Sequence, residues 1–96
     1  MKFIQTEIPD AWIVESQKYD DSRGSFREWF KENEILESTG LNFNVCQANE
    51  SISKKGVIRG VHYSLSESGQ AKWITCASGR ILDVIVDIRQ IGRAHV

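Results

Sequence analysis

The sequence predicts an all-β fold, a sandwich or barrel of short strands with one short helix. About seven short runs rich in β-branched and aromatic residues follow one another closely, with turn-forming Pro, Gly, Asp and Ser residues between them. The clearest of these runs, Arg80–Arg89, carries apolar side chains at every second position. Helical spacing is weak and confined to one segment. This combination is typical of β-sandwiches and β-barrels.

The first third of the chain predicts two strands and an extended segment. Phe3–Ile8 and Trp12–Glu15 are the strands, and the Pro-Asp pair between them indicates a turn. Asp20–Gly24 has turn composition, and it leads into an extended segment. Phe26 and Glu28 share one face of that segment, because side chains alternate along a strand.

The rest of the chain predicts a helix and then more strands. Lys31–Thr39 is the helical segment, and Gly40 suits its C-terminal cap. A helix of about two turns is too short to carry the fold. The strands predicted after it are Asn42–Ser51, Val57–Ser64, Gln70–Cys76 and Arg80–Arg89.

Composition narrows the class of protein. The 96 residues are enough for one small domain, and a net charge of −1 argues against nucleic acid or an anionic membrane as a partner. No apolar run approaches the roughly 20 residues of a membrane span, and the N-terminus becomes polar too early for a signal peptide. We therefore predict a cytoplasmic protein in which Cys46 and Cys76 are reduced, buried thiols.

A reaction-site constellation lies between Gly56 and Lys72. Arg59 and His62 flank Gly60, which can supply the bulge that brings their side chains into one pocket. Lys72 follows a polar loop that returns the chain towards His62. Histidine is the usual general base, lysine can stabilise an enolate oxygen, and arginine binds phosphate.

These residue types suit proton abstraction beside the carbonyl of a phosphorylated substrate. The pattern alone leaves a structural role open, because a single histidine beside an arginine is more often structural. Gln47 and Asn49 share one face of their predicted strand, which suits either a pocket wall or an exposed sheet face. A zinc or iron site is not expected, because His62 has no clustered carboxylates beside it.

The end of the sequence predicts a non-native tail at residues 90–96. Ile91–Val96 can be encoded by the start of a widely used sequencing adapter, so we interpret it as translated adapter. His95 is excluded from any site on this ground. Reading an independent clone through the junction would test the interpretation.

Two stretches of sequence resemble the dTDP-4-dehydrorhamnose 3,5-epimerase family. They are DDSRGSFREWF and QANESISKKGVIRGVHYSLSESGQAKWITCASGRILDVIVDIR, and the similarity runs from about Ile4 to Arg89. The resemblance implies that residues 1–89 are the N-terminal part of one cupin-like jelly-roll β-barrel, truncated after roughly its first half. It also implies a homodimer that uses no cofactor or metal and epimerises C3 and C5 of dTDP-4-dehydro-6-deoxy-D-glucose in dTDP-L-rhamnose biosynthesis.

The resemblance also implies roles for individual residues. His62 looks like the proton-abstracting base, Lys72 like the group facing the C4 oxygen, and Asp83 like a residue that orients Lys72. The substrate contacts carried over by motif position are Arg23, Phe26, Glu28, Gln47, Ala48, Asn49 and Arg59, with Arg59 near the diphosphate. Arg23, Phe26 and Glu28 match a segment that binds nucleotide, partly across the dimer.

Departures from the family pattern keep other functions open. The proton-donating tyrosine and the carboxylate that orients the histidine are expected beyond this sequence, and Tyr63 is not assigned the donor role. The usual RGLHYQ reads RGVHYS, and the loop Ser64–Gly69 is atypical. The alternatives are a 3- or 5-epimerase of another dTDP-4-keto sugar, a non-catalytic nucleotide-sugar-binding cupin, or an inactive fragment.

Overall fold

A computed structural model describes residues 1–66 and 69–89 of the chain. Its elements are β1 (Lys2–Gln5), β2 (Trp12–Glu15), β3 (Lys18–Asp21), β4 (Gly24–Arg27) and α1 (Glu32–Thr39). Strands β1 and β2 form one antiparallel pair, and β3 and β4 form another. The mainly β character with one short helix is thus confirmed, but the described residues form no closed barrel. The predicted tail, 90–96, lies outside the described residues.

The β1–β2 hairpin closes through the predicted Pro-Asp turn. The Thr6 hydroxyl donates to the backbone carbonyls of Ile8 and Ala11, at 3.1 and 2.7 Å. Asp10 takes a positive φ of 67°, a conformation that aspartate tolerates better than most residues. Strand β1 ends at Gln5, earlier than the predicted strand, because Thr6 already belongs to the turn.

The β3–β4 hairpin confirms the turn predicted at Asp20–Gly24. Tyr19 pairs with Phe26, and Asp21 pairs with Gly24 across the turn. Every residue of the two strands is exposed, including Tyr19 at 57% and Phe26 at 68%. The hairpin therefore projects from the rest of the described chain with two uncovered aromatic side chains.

The predicted helix is confirmed with its C-terminal cap. Gly40 has a φ of 74°, and its N–H donates to the carbonyl of Leu36 at 2.8 Å. Ile35 is 3% exposed and is the buried apolar residue of the described core. None of the helices in the described ranges has the length and apolar character needed to cross a membrane.

The four strands predicted after the helix are wrong at the level of local structure. Within residues 41–66 and 69–89 the structure has no strand, and Asp87 forms an isolated bridge. A strand exists only when a neighbouring strand takes its backbone hydrogen bonds, and these segments have no such neighbour among the described residues. Their apolar side chains are accordingly exposed, with Ile58 at 94% and Leu82 at 90%.

Side-chain contacts nevertheless join the two halves of the chain. Five aromatic rings pack edge to face or tilted against one another, and we call them the aromatic cluster: Phe3, Trp12, Phe30, Phe43 and Trp73. Farther along the chain, the Arg89 guanidinium bonds to Asp87 and to Asp10, at 2.9 and 3.2 Å. It also donates to the carbonyl of Pro9, so residue 89 lies against the β1–β2 turn.

Candidate functional site

Arg59 is held by the turn that precedes it. Its Nε donates to Ser53 Oγ at 2.8 Å, and its Nη2 donates to the carbonyl of Ile52 at 3.3 Å. Gly60, the next residue, has a φ of 113°, a conformation that glycine adopts easily and side chains with a Cβ resist. These two hydrogen bonds orient the guanidinium while leaving the residue exposed to solvent.

Two amide side chains lie together upstream of Arg59. Gln47 Nε2 donates to Asn49 Oδ1 at 3.3 Å, so the two amides are on the same side of the chain. Both residues, and Ala48 between them, are exposed. An amide pair offers donors and acceptors together, which suits hydroxyl groups of a sugar.

The β3–β4 hairpin carries a second polar site. Asp21, Arg23, Gly24, Ser25 and Phe26 line a shallow groove of about 220 Å³. Arg23 Nη2 donates to Asp21 Oδ2 at 2.7 Å, and the Arg23 backbone N–H donates to Asp21 Oδ1 at 2.8 Å. Asp21 was not among the predicted site residues, although an Asp two positions before an Arg within turn composition is a signal for such a pair.

The Asp21–Arg23 contact makes the hairpin turn sensitive to acid. The side-chain hydrogen bond from Arg23, followed by its backbone hydrogen bond, lowers the pKa of Asp21 below its ordinary value of 3.8. A lowered pKa in the folded state stabilises the turn above the ordinary value, and this contribution is lost as pH falls through the lowered pKa. We expect the Asp21 carboxyl carbon to titrate below the usual aspartate range when followed by NMR.

Two variants check this prediction. Arg23→Ala should return the pKa of Asp21 part of the way towards its ordinary value, because it removes the side-chain hydrogen bond, the largest cause of the shift, and keeps the backbone N–H of residue 23. Arg27→Ala removes an arginine of the same hairpin that is hydrogen-bonded to Thr75, and it should leave the titration of Asp21 unchanged. An Asp21 titration that is the same in the wild type and in Arg23→Ala contradicts the pairing.

No hydrogen bond joins His62 to Lys72 in the described residues. Both are exposed, and within residues 1–66 and 69–89 neither side chain forms a hydrogen bond or ion pair. Asp83 is likewise exposed and forms no hydrogen bond or ion pair with Lys72 in that part of the chain. Within residues 41–66 and 69–89, the antiparallel pairing that was expected to bring the base and the amine to one face is absent, because those ranges contain no strand.

The segment that follows Lys72 runs beside the end of strand β4. Arg27 Nη2 donates to Thr75 Oγ1 at 3.3 Å, and Trp73 Nε1 donates to the carbonyl of Trp29 at 2.8 Å. These two contacts join the segments in opposite chain order, residue 27 to residue 75 and residue 29 to residue 73.

The described part of the chain offers exposed cations, amides and one imidazole. In residues 1–66 and 69–89, no group of three or more His, Cys, Asp and Glu side chains is arranged to hold a metal ion. The side chains that are present suit an anionic, oxygen-rich ligand, because guanidinium and ammonium groups bind phosphate and amides bind hydroxyls. Histidine adds the capacity to move a proton.

Comparison with known proteins identifies the family to which this chain is similar. The family model for dTDP-4-dehydrorhamnose 3,5-epimerase matches residues 5–94. The chain is 42% identical over 82 residues to the dTDP-4-dehydrorhamnose 3,5-epimerase of Streptomyces griseus, covering 85% of this chain and 41% of that protein. It is 43% identical over 90 residues to the 3,5-epimerase of Shigella flexneri, covering 94% of this chain and 50% of that protein.

A relative named for a different activity also matches. The dTDP-4-dehydrorhamnose 3-epimerase of Streptomyces niveus is 38% identical over 89 residues, which cover 93% of this chain and 43% of that protein. The chain thus spans about half the length or less of these three relatives. No solved structure matches the chain.

Proposed function

The chain belongs to the dTDP-4-dehydrorhamnose 3,5-epimerase family, and from this premise we propose that it carries part of the active site of a dTDP-4-keto-sugar epimerase. The observation that carries the proposal is the match over residues 5–94, a range that includes Arg59, His62 and Lys72. The reaction is epimerisation at C3 and C5 of dTDP-4-dehydro-6-deoxy-D-glucose. Its product is dTDP-4-dehydro-L-rhamnose, on the route to dTDP-L-rhamnose.

The chemistry follows from the ketone at C4. A carbonyl acidifies the C–H bonds on both neighbouring carbons, so one base and one oxyanion stabiliser can serve both centres. His62 removes the proton from C3 or C5, and the bonding electrons move onto the C4 oxygen as an enolate. Lys72 stabilises that oxygen by charge and hydrogen bonding. Protonation of the carbon from the opposite face then inverts its configuration.

The remaining polar residues are proposed to bind the nucleotide sugar. Arg59 binds the diphosphate, because its planar guanidinium matches two phosphate oxygens. Gln47, Ala48 and Asn49 contact the sugar, which is supported by the exposed pair of amides. The β3–β4 hairpin contributes Arg23, Phe26 and Glu28 to the nucleotide.

The complete enzyme is proposed to be a homodimer of cupin-like jelly-roll barrels in the cytoplasm. The exposed aromatic side chains of the hairpin, Tyr19 and Phe26, support contact with a second subunit. Cys46 and Cys76 are free thiols, which fits a reducing compartment. The 96 residues by themselves are proposed to be inactive, because His62 and Lys72 lie on exposed segments that no strand pairs within residues 1–66 and 69–89.

The direct test measures exchange with solvent. The full-length enzyme is a polypeptide that contains this chain and is as long as its relatives. It is incubated in D₂O with dTDP-4-dehydro-6-deoxy-D-glucose. We expect deuterium at C3 and C5 and formation of the L-rhamno product, detected by NMR. Absence of exchange at both carbons would leave a non-catalytic nucleotide-sugar-binding cupin as the better explanation.

The similarity to a 3-epimerase supports a second candidate function. A mono-epimerase of a dTDP-4-keto sugar would use the same base and the same enolate but invert one carbon. The D₂O experiment separates the two candidates. A mono-epimerase gives an inverted product at one carbon, whereas the 3,5-epimerase inverts both.

Replacing Arg59 with alanine should mainly weaken binding of the nucleotide sugar. Hydrogen bonds to charged groups contribute about 1.5 to 3 kcal/mol each, so we expect KM to rise by about ten-fold to a hundred-fold with little change in kcat. Steady-state kinetics of the full-length enzyme measure both constants. Arg80→Ala, which removes another exposed arginine, is the matched control and should change neither. Unchanged KM with lost turnover would argue against a role at the diphosphate.

A further inference from the structure

Trp73 is the most highly connected residue of the aromatic cluster. Its ring centroid lies 5.6 Å from that of Phe30 with an interplanar angle of 87°, and 6.4 Å from that of Phe43 at 70°. A third ring, Phe3, lies 6.3 Å away in a tilted arrangement. These separations fall in the range in which aromatic rings attract one another. Trp73 is accordingly half-buried, although its neighbours on both sides are exposed.

A directional contact adds to this packing. The indole N–H of Trp73 donates to the carbonyl of Trp29 at 2.8 Å, and Arg27 reaches Thr75 two residues farther along. Ring packing alone would allow the indole to slide, whereas a hydrogen bond to a backbone atom sets its register against residues 27–30. The position of Trp73 is therefore determined by several elements at once: β1, the end of β4 and the segment after α1.

We propose that Trp73 is a positioning residue for Lys72, holding the lysine's backbone in place through the aromatic cluster and the hydrogen bond to Trp29. The inference rests on the proposed function, in which Lys72 faces the C4 oxygen. The two Cα atoms are joined by one peptide unit and lie about 3.8 Å apart, so anchoring Trp73 also anchors the base of the lysine side chain. Lys72 is exposed where Trp73 is half-buried, so the amine is free to meet a substrate.

The substitution Trp73→Phe tests this role with little loss of packing. It keeps an aromatic ring in the cluster and removes the N–H that bonds to Trp29. An error of about 1 Å in the placement of a catalytic group can lower turnover by as much as 100-fold. We expect kcat of the full-length enzyme to fall by about ten-fold to a hundred-fold while KM stays within about two-fold.

Trp29→Phe is the matched control. It keeps the backbone carbonyl that accepts the hydrogen bond and changes a ring that is 50% exposed. We expect this variant to retain wild-type kcat. Thr75→Val is a second, milder probe, because it removes the hydroxyl that Arg27 contacts without opening a cavity. It should lower kcat less than Trp73→Phe does, and it remains informative if Trp73→Phe fails to fold.

A double-mutant cycle separates positioning from general support of the fold. If Trp73 acts through Lys72, Trp73→Phe should have little further effect on the residual kcat of a Lys72→Met enzyme. An undiminished effect in that background, or unchanged kcat in both Trp73→Phe and Thr75→Val, overturns the positioning role. A wild-type enzyme that shows no exchange in D₂O overturns the proposed function itself, so the two failures are distinguishable.

Discussion

Replacing His62 with alanine is expected to abolish deuterium incorporation at C3 and C5 of the 4-keto sugar. Alanine cannot accept a proton, and a positioned general base contributes about 10²- to 10⁴-fold to turnover. We expect kcat of the full-length enzyme to fall by at least about 100-fold. Because His62 is exposed and forms no hydrogen bond or ion pair within the described ranges, the substitution should leave the fold intact. NMR of the substrate in D₂O measures the exchange directly.

Tyr63→Phe is the control for the His62 experiment. It changes an adjacent side chain, 66% exposed, to which no proton-donor role is assigned, and it should retain exchange at both carbons. Added imidazole should restore part of the activity of His62→Ala if the lost group is a base. Exchange at the wild-type rate in His62→Ala would remove His62 as the base and direct attention to other groups around the C4 ketone.

Replacing Lys72 with methionine is expected to lower kcat by about 10²- to 10³-fold, with KM changed by only a few-fold. Methionine keeps a long unbranched side chain but has neither the charge nor the hydrogen-bond donors of lysine. Removing one donor to a developing oxyanion has an effect of this size in other enzymes. The loss should fall on kcat because negative charge on the C4 oxygen develops in the transition state and is small in the bound substrate.

Lys55→Met supplies the matched control for Lys72. Lys55 is an exposed lysine in the turn before Arg59, and its replacement should leave kcat unchanged. The rate of deuterium exchange should fall together with kcat in Lys72→Met, because the enolate is common to exchange and epimerisation. A rise in KM with unchanged kcat would instead assign Lys72 to ground-state binding of the substrate.

Local structure in the first 40 residues could be predicted from the sequence. The Pro-Asp turn, the turn at Asp20–Gly24, and the helix that ends at Gly40 depend on short-range chemistry. A glycine or aspartate that accepts a positive φ, or a cap that closes the last helical turn, acts over a few residues. Such signals need no distant partner, so they survive in the structure almost where they were predicted.

The strands after Gly40 could not be decided in this way. Alternation in Arg80–Arg89 marks which residues would share a face, but a strand also needs a neighbour for its backbone hydrogen bonds. The described residues provide none, and Leu82 stays 90% exposed. The alternation of apolar residues therefore predicted that this segment can form a strand. Whether the strand forms depends on another segment of the chain that pairs with it.

In the candidate site, too, the sequence shows the residue types but not the contacts between distant segments. The residue types of Arg59, His62 and Lys72, and their order along the chain, suit a base, an oxyanion stabiliser and a phosphate anchor, and this assignment stays a prediction. The contacts of Trp73 with rings 30 to 70 positions earlier left no periodic or motif signal, because they form only when distant segments pack. The same holds for the hydrogen bond that it donates to Trp29.

The sequence by itself determined which chemically active residue types this chain carries. The identity of His62 and Lys72, the family to which the chain belongs, and the local turns and helix all follow from residue types and short-range order. Only the tertiary structure decided that Arg27 contacts Thr75 and that Trp73 bonds to the carbonyl of Trp29 and packs against distant aromatic rings. The physical reason is that chemical capacity resides in single side chains, whereas position arises from contacts between segments far apart in the chain.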